Sequence, residues 1–166
     1  MQSPVPALGW GHINVNVENL DRSIAFYAKL GFKLFMPTIP YLDLSSSETA
    51  EMPADCAQAL GLPASVRGRA CILELDGGFP KLDLTELQIT GRRAPLSNAD
   101  VGVVRMCLIS QDLAADCARL VEQGVRFVSG PTACHARLAD VAVCQDPDGT
   151  LIELLQIHME RWQALG

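Results

Sequence analysis

The 166-residue chain has no run of lysines and arginines, no basic patch, and a net charge of −6 at pH 7. Because nucleic acids and anionic membrane surfaces attract clustered positive charge, we expect neither as a partner. No apolar run approaches the ~20 residues that span a bilayer, and no charged segment followed by an apolar one opens the chain. We therefore expect a cytoplasmic protein whose partners are small molecules or other proteins.

The six cysteines include no C-x-x-C pair, and most lie in apolar stretches, where cysteine behaves as a small hydrophobic residue. In a reducing compartment this favours free thiols over disulfides or structural zinc. Hydrophobic residues make up 49% of the chain, which is enough for the core of one domain or of two small fused modules.

The sequence repeats itself at a constant offset. Residues 11–17 alternate between polar and apolar, which predicts a half-buried strand, and residues 21–30 have the apolar spacing of an amphipathic helix that ends at Gly31. The same order of strand, helix and glycine recurs within residues 103–128, where Gly124 lies 93 positions after Gly31. A fixed offset over more than twenty residues indicates an internal duplication.

Each copy then continues into two further strands, and the last two strands of the second copy are joined by the turn Asp146-Pro147-Asp148-Gly149. The predicted strands lie at residues 11–17, 32–35, 70–75 and 81–89 in the first copy and at residues 103–110, 125–128, 141–145 and 150–157 in the second. The predicted fold class is therefore α+β, with two tandem β-α-β-β-β modules. Their helices, at residues 21–30 and 112–123, should cover the outer faces of the sheets and bury Ile24 and Cys117 at equivalent positions.

The first module is predicted to occupy residues 1–90, followed by a linker at 91–100 and by the second module with a C-terminal tail at 101–166. The first module is longer because of an insert at about residues 37–67, in which residues 53–60 favour a short helix. Connections longer than ~12–15 residues usually have a function or are disordered. We expect this insert to lie over the mouth of a cavity and to change its order when a ligand binds.

The paired modules, a histidine at position 12 in the first strand, and a last strand that carries Glu153 after the Asp-Pro-Asp-Gly turn together resemble the vicinal oxygen chelate superfamily. This superfamily includes glyoxalase I, methylmalonyl-CoA epimerase, extradiol dioxygenases and bleomycin-resistance proteins. The resemblance implies that the two sheets enclose a shared cavity, that each module supplies metal ligands from its first and last strands, and that the chain can form a homodimer. It does not imply one reaction, because the superfamily hosts several chemistries on one scaffold.

Carried over residue by residue, the resemblance places His12, Asp83 and Glu153 at metal-ligand positions. The fourth position holds Arg105, whose guanidinium stays charged and has no lone pair for a metal. One imidazole and two carboxylates can still hold a divalent metal, with Mn²⁺, Mg²⁺ or Co²⁺ favoured and Ni²⁺ or Zn²⁺ as alternatives. They lack the two-histidine, one-carboxylate set of Fe(II) oxygenases, which disfavours an extradiol dioxygenase.

Two functions remain open. In the first, a lyase, isomerase or epimerase shifts a proton next to a carbonyl, with Asp83 or Glu153 as general base and Arg105 holding a substrate carboxylate or enolate oxygen. In the second, Arg105 only neutralises the two carboxylates, and the cavity sequesters or senses a small molecule without changing it. Under either function, we expect four residues to converge in one cluster: His12, Asp83, Arg105 and Glu153. The residues expected to contact the ligand are Asn14, Asn16, Thr85 and Cys107.

Overall fold

The structure, a computed structural model, describes residues 8–163. Contacts between residues divide the chain into two compact units, Met1–Gly91 and Arg92–Gly166. Each unit is built around its own β-sheet. None of the helices in the described part of the chain is long and apolar enough to cross a membrane.

The first unit contains a five-stranded sheet in which the strands run in the order β1-β7-β6-β2, with β5 paired to β6. The parallel neighbours are β1 and β7, and the other pairs are antiparallel. Its elements, in chain order, are β1 (His12–Val17), α1 (Leu20–Lys29), β2 (Lys33–Met36), β3 (Thr38–Ile39), β4 (Leu44–Ser45), β5 (Ala50–Glu51), α2 (Ala54–Ala59), β6 (Arg67–Glu74) and β7 (Lys81–Leu87).

The second unit repeats this topology in a four-stranded sheet of order β8-β11-β10-β9, in which β8 and β11 are parallel. Its elements are β8 (Arg105–Ile109), α3 (Leu113–Glu122), β9 (Arg126–Ala133), β10 (Ala139–Gln145), β11 (Leu151–Ile157) and α4 (Met159–Gln163). The predicted α+β fold of two tandem β-α-β-β-β modules is confirmed.

The helices α1 and α3 begin and end for the same physical reasons. Asn19 and Asp112 are their N-caps, and each side chain accepts a hydrogen bond from the backbone N–H three residues later, at 2.8 and 3.0 Å. Beyond their C-termini, Gly31 and Gly124 have φ values of +99° and +80°, which glycine adopts without steric cost.

The buried faces of the two helices differ in one respect. Cys117 in α3 is buried as expected, but Ile24 at the equivalent position in α1 is only half-buried, which corrects that expectation. Two large aromatic side chains of α1, Phe26 and Tyr27, are buried and pack edge to face with ring centres 5.3 Å apart. Tyr27 packs in the same way on Phe32, at 5.6 Å. These two rings fill the space between α1 and the sheet, so the buried face of the helix is centred on them and not on Ile24.

The insert is folded on a small hydrophobic core of its own. It contains the β3–β4 hairpin, a 3₁₀ turn at Pro40–Leu42, β5 and α2. The helix α2 follows Pro53 and ends before Gly61, close to the prediction. The buried residues of this core, which include two from β6 and β7, are Ile39, Leu42, Leu44, Met52, Ala57, Val66, Ala70 and Leu87.

Glu86 in β7 and Gln156 in β11 tie each helix to the last strand of its sheet. Glu86 Oε2 accepts a hydrogen bond from the backbone N–H of Leu20 at 2.7 Å, and Gln156 Oε1 accepts one from Leu113 at 2.8 Å. Glu86 also forms an ion pair with Arg69 at 2.8 Å, in which both side chains are less than one fifth exposed. The acceptor that joins the helix to the last strand is therefore a charged carboxylate in the first unit and a neutral amide in the second.

We expect Glu86→Ala to lower the free energy of unfolding by about 1.5–3 kcal/mol, because it removes a charged acceptor and takes one partner from a largely buried guanidinium. Gln156→Ala removes a neutral hydrogen bond and should cost about 0.5–1.5 kcal/mol. Urea unfolding followed by circular dichroism measures both values, with Glu86→Gln as the matched control that should fall between them. Equal losses in the two alanine variants would show that the ion pair with Arg69 adds no stability.

Candidate functional site

An open cavity of about 220 Å³ lies in the first unit, on the face of the sheet opposite the one that Glu86 joins to α1. Its polar side comes from the sheet, and the insert supplies most of an apolar wall. The polar lining residues are His12, Asn14, Asn16 and Thr85, and the others are Tyr41, Leu42, Met52, Leu60, Leu62 and Leu87. A change in the order of the insert with ligand stays a prediction.

The polar residues of the cavity form a hydrogen-bonded chain. Thr85 Oγ1 donates to Asn14 Oδ1 at 2.8 Å, and Asn14 Nδ2 donates to Asn16 Oδ1 at 3.1 Å. They share one face because side chains alternate along a strand and the parallel register places Asn16 beside Thr85. All three therefore line the cavity, and their contact with a ligand stays a prediction.

His12 and Asp83 form the first pair of predicted site residues. His12 Nε2 lies 3.3 Å from Asp83 Oδ2, and the two side chains are 40% and 2% exposed. Within residues 8–163, Asp83 Oδ1 is buried without a hydrogen-bond partner. Burial raises the pKa of Asp83, and the nearby His12 lowers it by a smaller amount. The arrangement is an imidazole at the cavity with a desolvated carboxylate behind it.

Arg105 and Glu153 form the second pair, in the second unit. Arg105 Nε donates a short hydrogen bond to Glu153 Oε2, and its Nη1 donates to Asn98 Oδ1 at 3.0 Å. Cys107 Sγ lies 3.8 Å from Glu153 Oε1. Burial, followed by the Glu153 carboxylate, raises the pKa of Cys107, so its thiol stays protonated at neutral pH and is a poor nucleophile.

The two pairs occupy equivalent places in their sheets. In each sheet, the acid of the last strand lies beside the residue two positions after the base of the first strand. His12 therefore corresponds to Arg105, and Asp83 corresponds to Glu153. The structure brings these four residues together as two pairs, each within one unit, and the expected convergence of both pairs in one cluster stays a prediction.

The donor set fits a divalent metal poorly. Among residues 8–163, no group of three or more His, Cys, Asp or Glu side chains is placed to hold a metal ion. Arg105 forms an ion pair with the Glu153 carboxylate, and its guanidinium has no lone pair that could bind a metal. The pair that remains, His12 and Asp83, offers only two protein ligands, whereas catalytic zinc sites usually have three.

Tyr41 is a cavity residue that sequence reasoning missed. It lies in the 3₁₀ turn of the insert and lines the cavity. Although Tyr41 is 57% exposed, partial desolvation at the cavity, followed by the charges of Asp83 and Cys56, raises the pKa of its phenol. The signal in the sequence that could have identified Tyr41 is that it is aromatic. Aromatic residues make up only 5% of the chain, and an aromatic residue in a solvent-facing insert is unexpected.

Comparisons with known proteins bear on both the fold and the site. The family model for the glyoxalase/bleomycin resistance protein/dioxygenase superfamily matches residues 9–154. No curated protein matches the sequence.

Several solved structures are similar. A glyoxalase family protein from Bacillus cereus is 17% identical, with a TM-score of 0.72 over 95% of this chain and 99% of that one. An antibiotic-binding protein from Streptomyces sp. CB03234 is 24% identical, with a TM-score of 0.56 over 93% and 99%. The trypanothione-dependent glyoxalase I of Leishmania major is 21% identical, with a TM-score of 0.56 over 93% and 90%. At these identities the likeness shows the fold alone.

We expect Asp83→Asn to stabilise the protein at neutral pH. Because the pKa of Asp83 is raised on folding, the stability of the wild type falls as the pH rises from the ordinary value of 3.8 through the raised pKa. Asparagine does not ionise and avoids this loss, so the free energy of unfolding should rise by about 0.5–2 kcal/mol. Urea unfolding between about pH 4 and 8 measures the difference, which should shrink toward the acid end.

Glu153→Gln is the matched control, since its carboxylate has Arg105 as a partner and should lose stability when neutralised. A loss of stability in Asp83→Asn at neutral pH would mean that attraction to His12 outweighs the desolvation of the carboxylate.

Proposed function

We propose, from the premise that this chain belongs to the glyoxalase/bleomycin resistance protein/dioxygenase superfamily, that it is a lyase, isomerase or epimerase acting on a small molecule. It shifts a proton next to a carbonyl in the cavity of the first unit. The observation that carries the proposal is the pair of His12, exposed at the cavity, and Asp83, buried behind it. A base of this kind typically contributes 10²–10⁴-fold to the rate of proton transfer.

His12 is the general base in this proposal. The Asp83 carboxylate, with Oδ2 3.3 Å from His12 Nε2, favours the tautomer that carries its proton on Nε2 and its lone pair on Nδ1. When Nδ1 takes a proton from carbon, the carboxylate of Asp83 stabilises the imidazolium that forms. Asp83 then acts as a positioning residue rather than as the base that the sequence suggested.

The remaining polar residues of the cavity orient the substrate. Asn14 and Thr85 hold each other and Asn16 in place, so their amides and hydroxyl are fixed before a substrate enters. The roles predicted from the sequence for Arg105 and Glu153, which lie in the second unit, stay predictions.

No metal takes part in this proposal, because Arg105 bonds the Glu153 carboxylate in the second unit and the first unit offers only His12 and Asp83 as a pair. The positive charge of the guanidinium also opposes a cation beside it. The chemistry is assigned to the side chains of this chain alone.

A second candidate function is binding without reaction. It is favoured by the apolar wall of the cavity, which suits an amphiphilic molecule, and by the fixed Arg105–Glu153 pair. The Streptomyces protein of the same fold binds an antibiotic. Under this candidate, the chain would sequester or sense such a molecule.

Solvent exchange of the substrate proton separates the two candidates. In D₂O, we expect the wild type to introduce deuterium next to the carbonyl of at least one compound in a panel of α-hydroxyketones and thiohemiacetals, followed by proton NMR. His12→Gln removes the base and should slow this exchange by about 10²–10⁴-fold. His135→Gln, a change at an exposed histidine in the second unit, should leave the rate unchanged. Binding of panel compounds without any exchange would favour the second candidate.

Metal content provides an independent test. After dialysis against Mn²⁺, Co²⁺, Ni²⁺ and Zn²⁺ and removal of free ions, we expect little metal on the wild type by elemental mass spectrometry. Arg105→His should raise the metal content, because it replaces a cation with an imidazole ligand beside Glu153. Arg126→His, at an exposed position on β9, controls for the added histidine. One equivalent of metal on the wild type would contradict the metal-free proposal.

A further inference from the structure

The cavity holds one more group suited to proton chemistry, and it comes from the insert. Tyr41 lines the cavity together with His12 and Asn14. It lies between Pro40, which starts the 3₁₀ turn, and Leu42, which is buried in the core of the insert. The turn ends at Asp43, whose φ of +51° lies in the left-handed region. This short turn buries Leu42 and leaves the Tyr41 side chain at the cavity.

The backbone around Tyr41 is held at a second point. Its carbonyl oxygen accepts a hydrogen bond from Cys56 Sγ at 2.9 Å, which joins the turn to the start of α2. The backbone that carries the phenol is therefore held both by its own turn and by α2. Within residues 8–163, the phenol hydroxyl itself makes no hydrogen bond, so its donor and acceptor capacity remains for a molecule in the cavity.

Two other polar groups of the cavity already donate to a neighbour. The Thr85 hydroxyl donates to Asn14, and the Asn14 amide donates to Asn16. No lysine or arginine is among the residues that line the cavity in the described part of the chain. The donors left for an oxygen that becomes negative in this cavity include amide N–H groups of Asn14 and Asn16 and the phenol of Tyr41, and of these the phenol is the strongest acid.

The phenol is also in the protonation state that a donor needs. Partial desolvation and the nearby Asp83 carboxylate both raise the pKa of Tyr41, so the hydroxyl keeps its proton at neutral pH. The same carboxylate is paired with His12. One buried acid therefore favours a proton on the phenol and stabilises the imidazolium that forms when His12 accepts one.

We propose that Tyr41 is a catalytic residue that donates a hydrogen bond to the substrate oxygen on which negative charge develops, opposite His12 as the base. This inference rests on the proton-transfer function proposed above. It assigns to the cavity a substrate with a neutral carbonyl or hydroxyketone group, since no cation lines the cavity to hold a phosphate or carboxylate.

Removal of the proton next to the carbonyl needs no reactant besides the substrate and these two side chains. The C–H bond next to the carbonyl breaks, its proton goes to His12 Nδ1, and its electron pair forms the carbon–carbon double bond of an enolate. The electrons of the C=O bond move to oxygen, which the Tyr41 hydroxyl stabilises by donating its hydrogen bond. Return of a proton from His12 to the same carbon restores the carbonyl compound, and in D₂O it introduces deuterium when the proton on His12 has first exchanged with solvent.

The test compares Tyr41→Phe, which keeps the ring and removes the hydroxyl, with the wild type. In the D₂O exchange assay we expect Tyr41→Phe to be about 10²–10³-fold slower, the loss typical of one oxyanion donor. Ser47→Ala, which removes an exposed hydroxyl of the insert outside the cavity, should exchange at the wild-type rate. Circular dichroism and thermal unfolding establish that the variants are folded.

A second measurement needs no catalysis. The phenolate of 4-nitrophenol mimics an enolate oxygen, and its absorbance reports its ionisation. We expect wild-type protein to bind the phenolate more tightly than the phenol and so to lower the pKa of the probe, and we expect Tyr41→Phe to lose most of this shift. His12→Gln should keep the shift while losing exchange.

The outcomes separate this inference from the function on which it rests. Wild-type exchange in Tyr41→Phe, with exchange lost in His12→Gln, overturns the role of Tyr41 and leaves the base in place. No exchange by the wild type with any compound overturns both. An unchanged pKa of 4-nitrophenol on the wild type overturns the oxyanion donor, whatever the exchange rates are.

Discussion

The parallel pairing of the first and last strands of each unit is the constraint on which the rest of the structure depends. Because both strands have a side-chain period of two, their register decides at once what faces the helix and what faces away. On the helix side it places Glu86 at the start of α1 and Gln156 at the start of α3. On the other side it brings a base and an acid together in each sheet. The attachment of the helices and the two base–acid pairs therefore both follow from the parallel register of the first and last strands.

The same two positions carry different chemistry in the two units. Histidine can release a proton near neutral pH and arginine cannot, which is why the proposed base is the one in the first unit. The acids differ as well, since the Asp83 side chain is 2% exposed and that of Glu153 is 16% exposed. Arg105 is a full charge that neutralises its acid, whereas His12 leaves the pKa of Asp83 raised. The two units therefore share the positions of the pair and differ in its charge and burial.

Periodicity and spacing were sufficient to predict the duplication and the glycines that end its two helices, because these depend on local patterns. The four residues of the two pairs were chosen from the family resemblance, and their division into pairs was not predicted. Features set by packing were not accessible in this way. Ile24 lost its place in the core to larger aromatic neighbours. The strand β9 runs on through Gly130 and Pro131, which favour a turn, because pairing with β10 continues across register shifts. Tyr41 was missed because the path of the insert has no periodic signal.

The insert links stability to chemistry in the first unit. A buried carboxylate with one oxygen unpaired costs free energy, and an apolar residue of similar size would avoid that cost. The proposed function gives a reason to retain Asp83, since its carboxylate lies beside the imidazole of His12 and would stabilise the imidazolium. The charge of Asp83 raises the pKa of Tyr41, and the hydrophobic core of the insert holds Tyr41 near enough for this effect. Loss of order in the insert would therefore open the cavity and move the phenol away from His12 in a single step, so the proposed proton chemistry would depend on the order of residues 37–67.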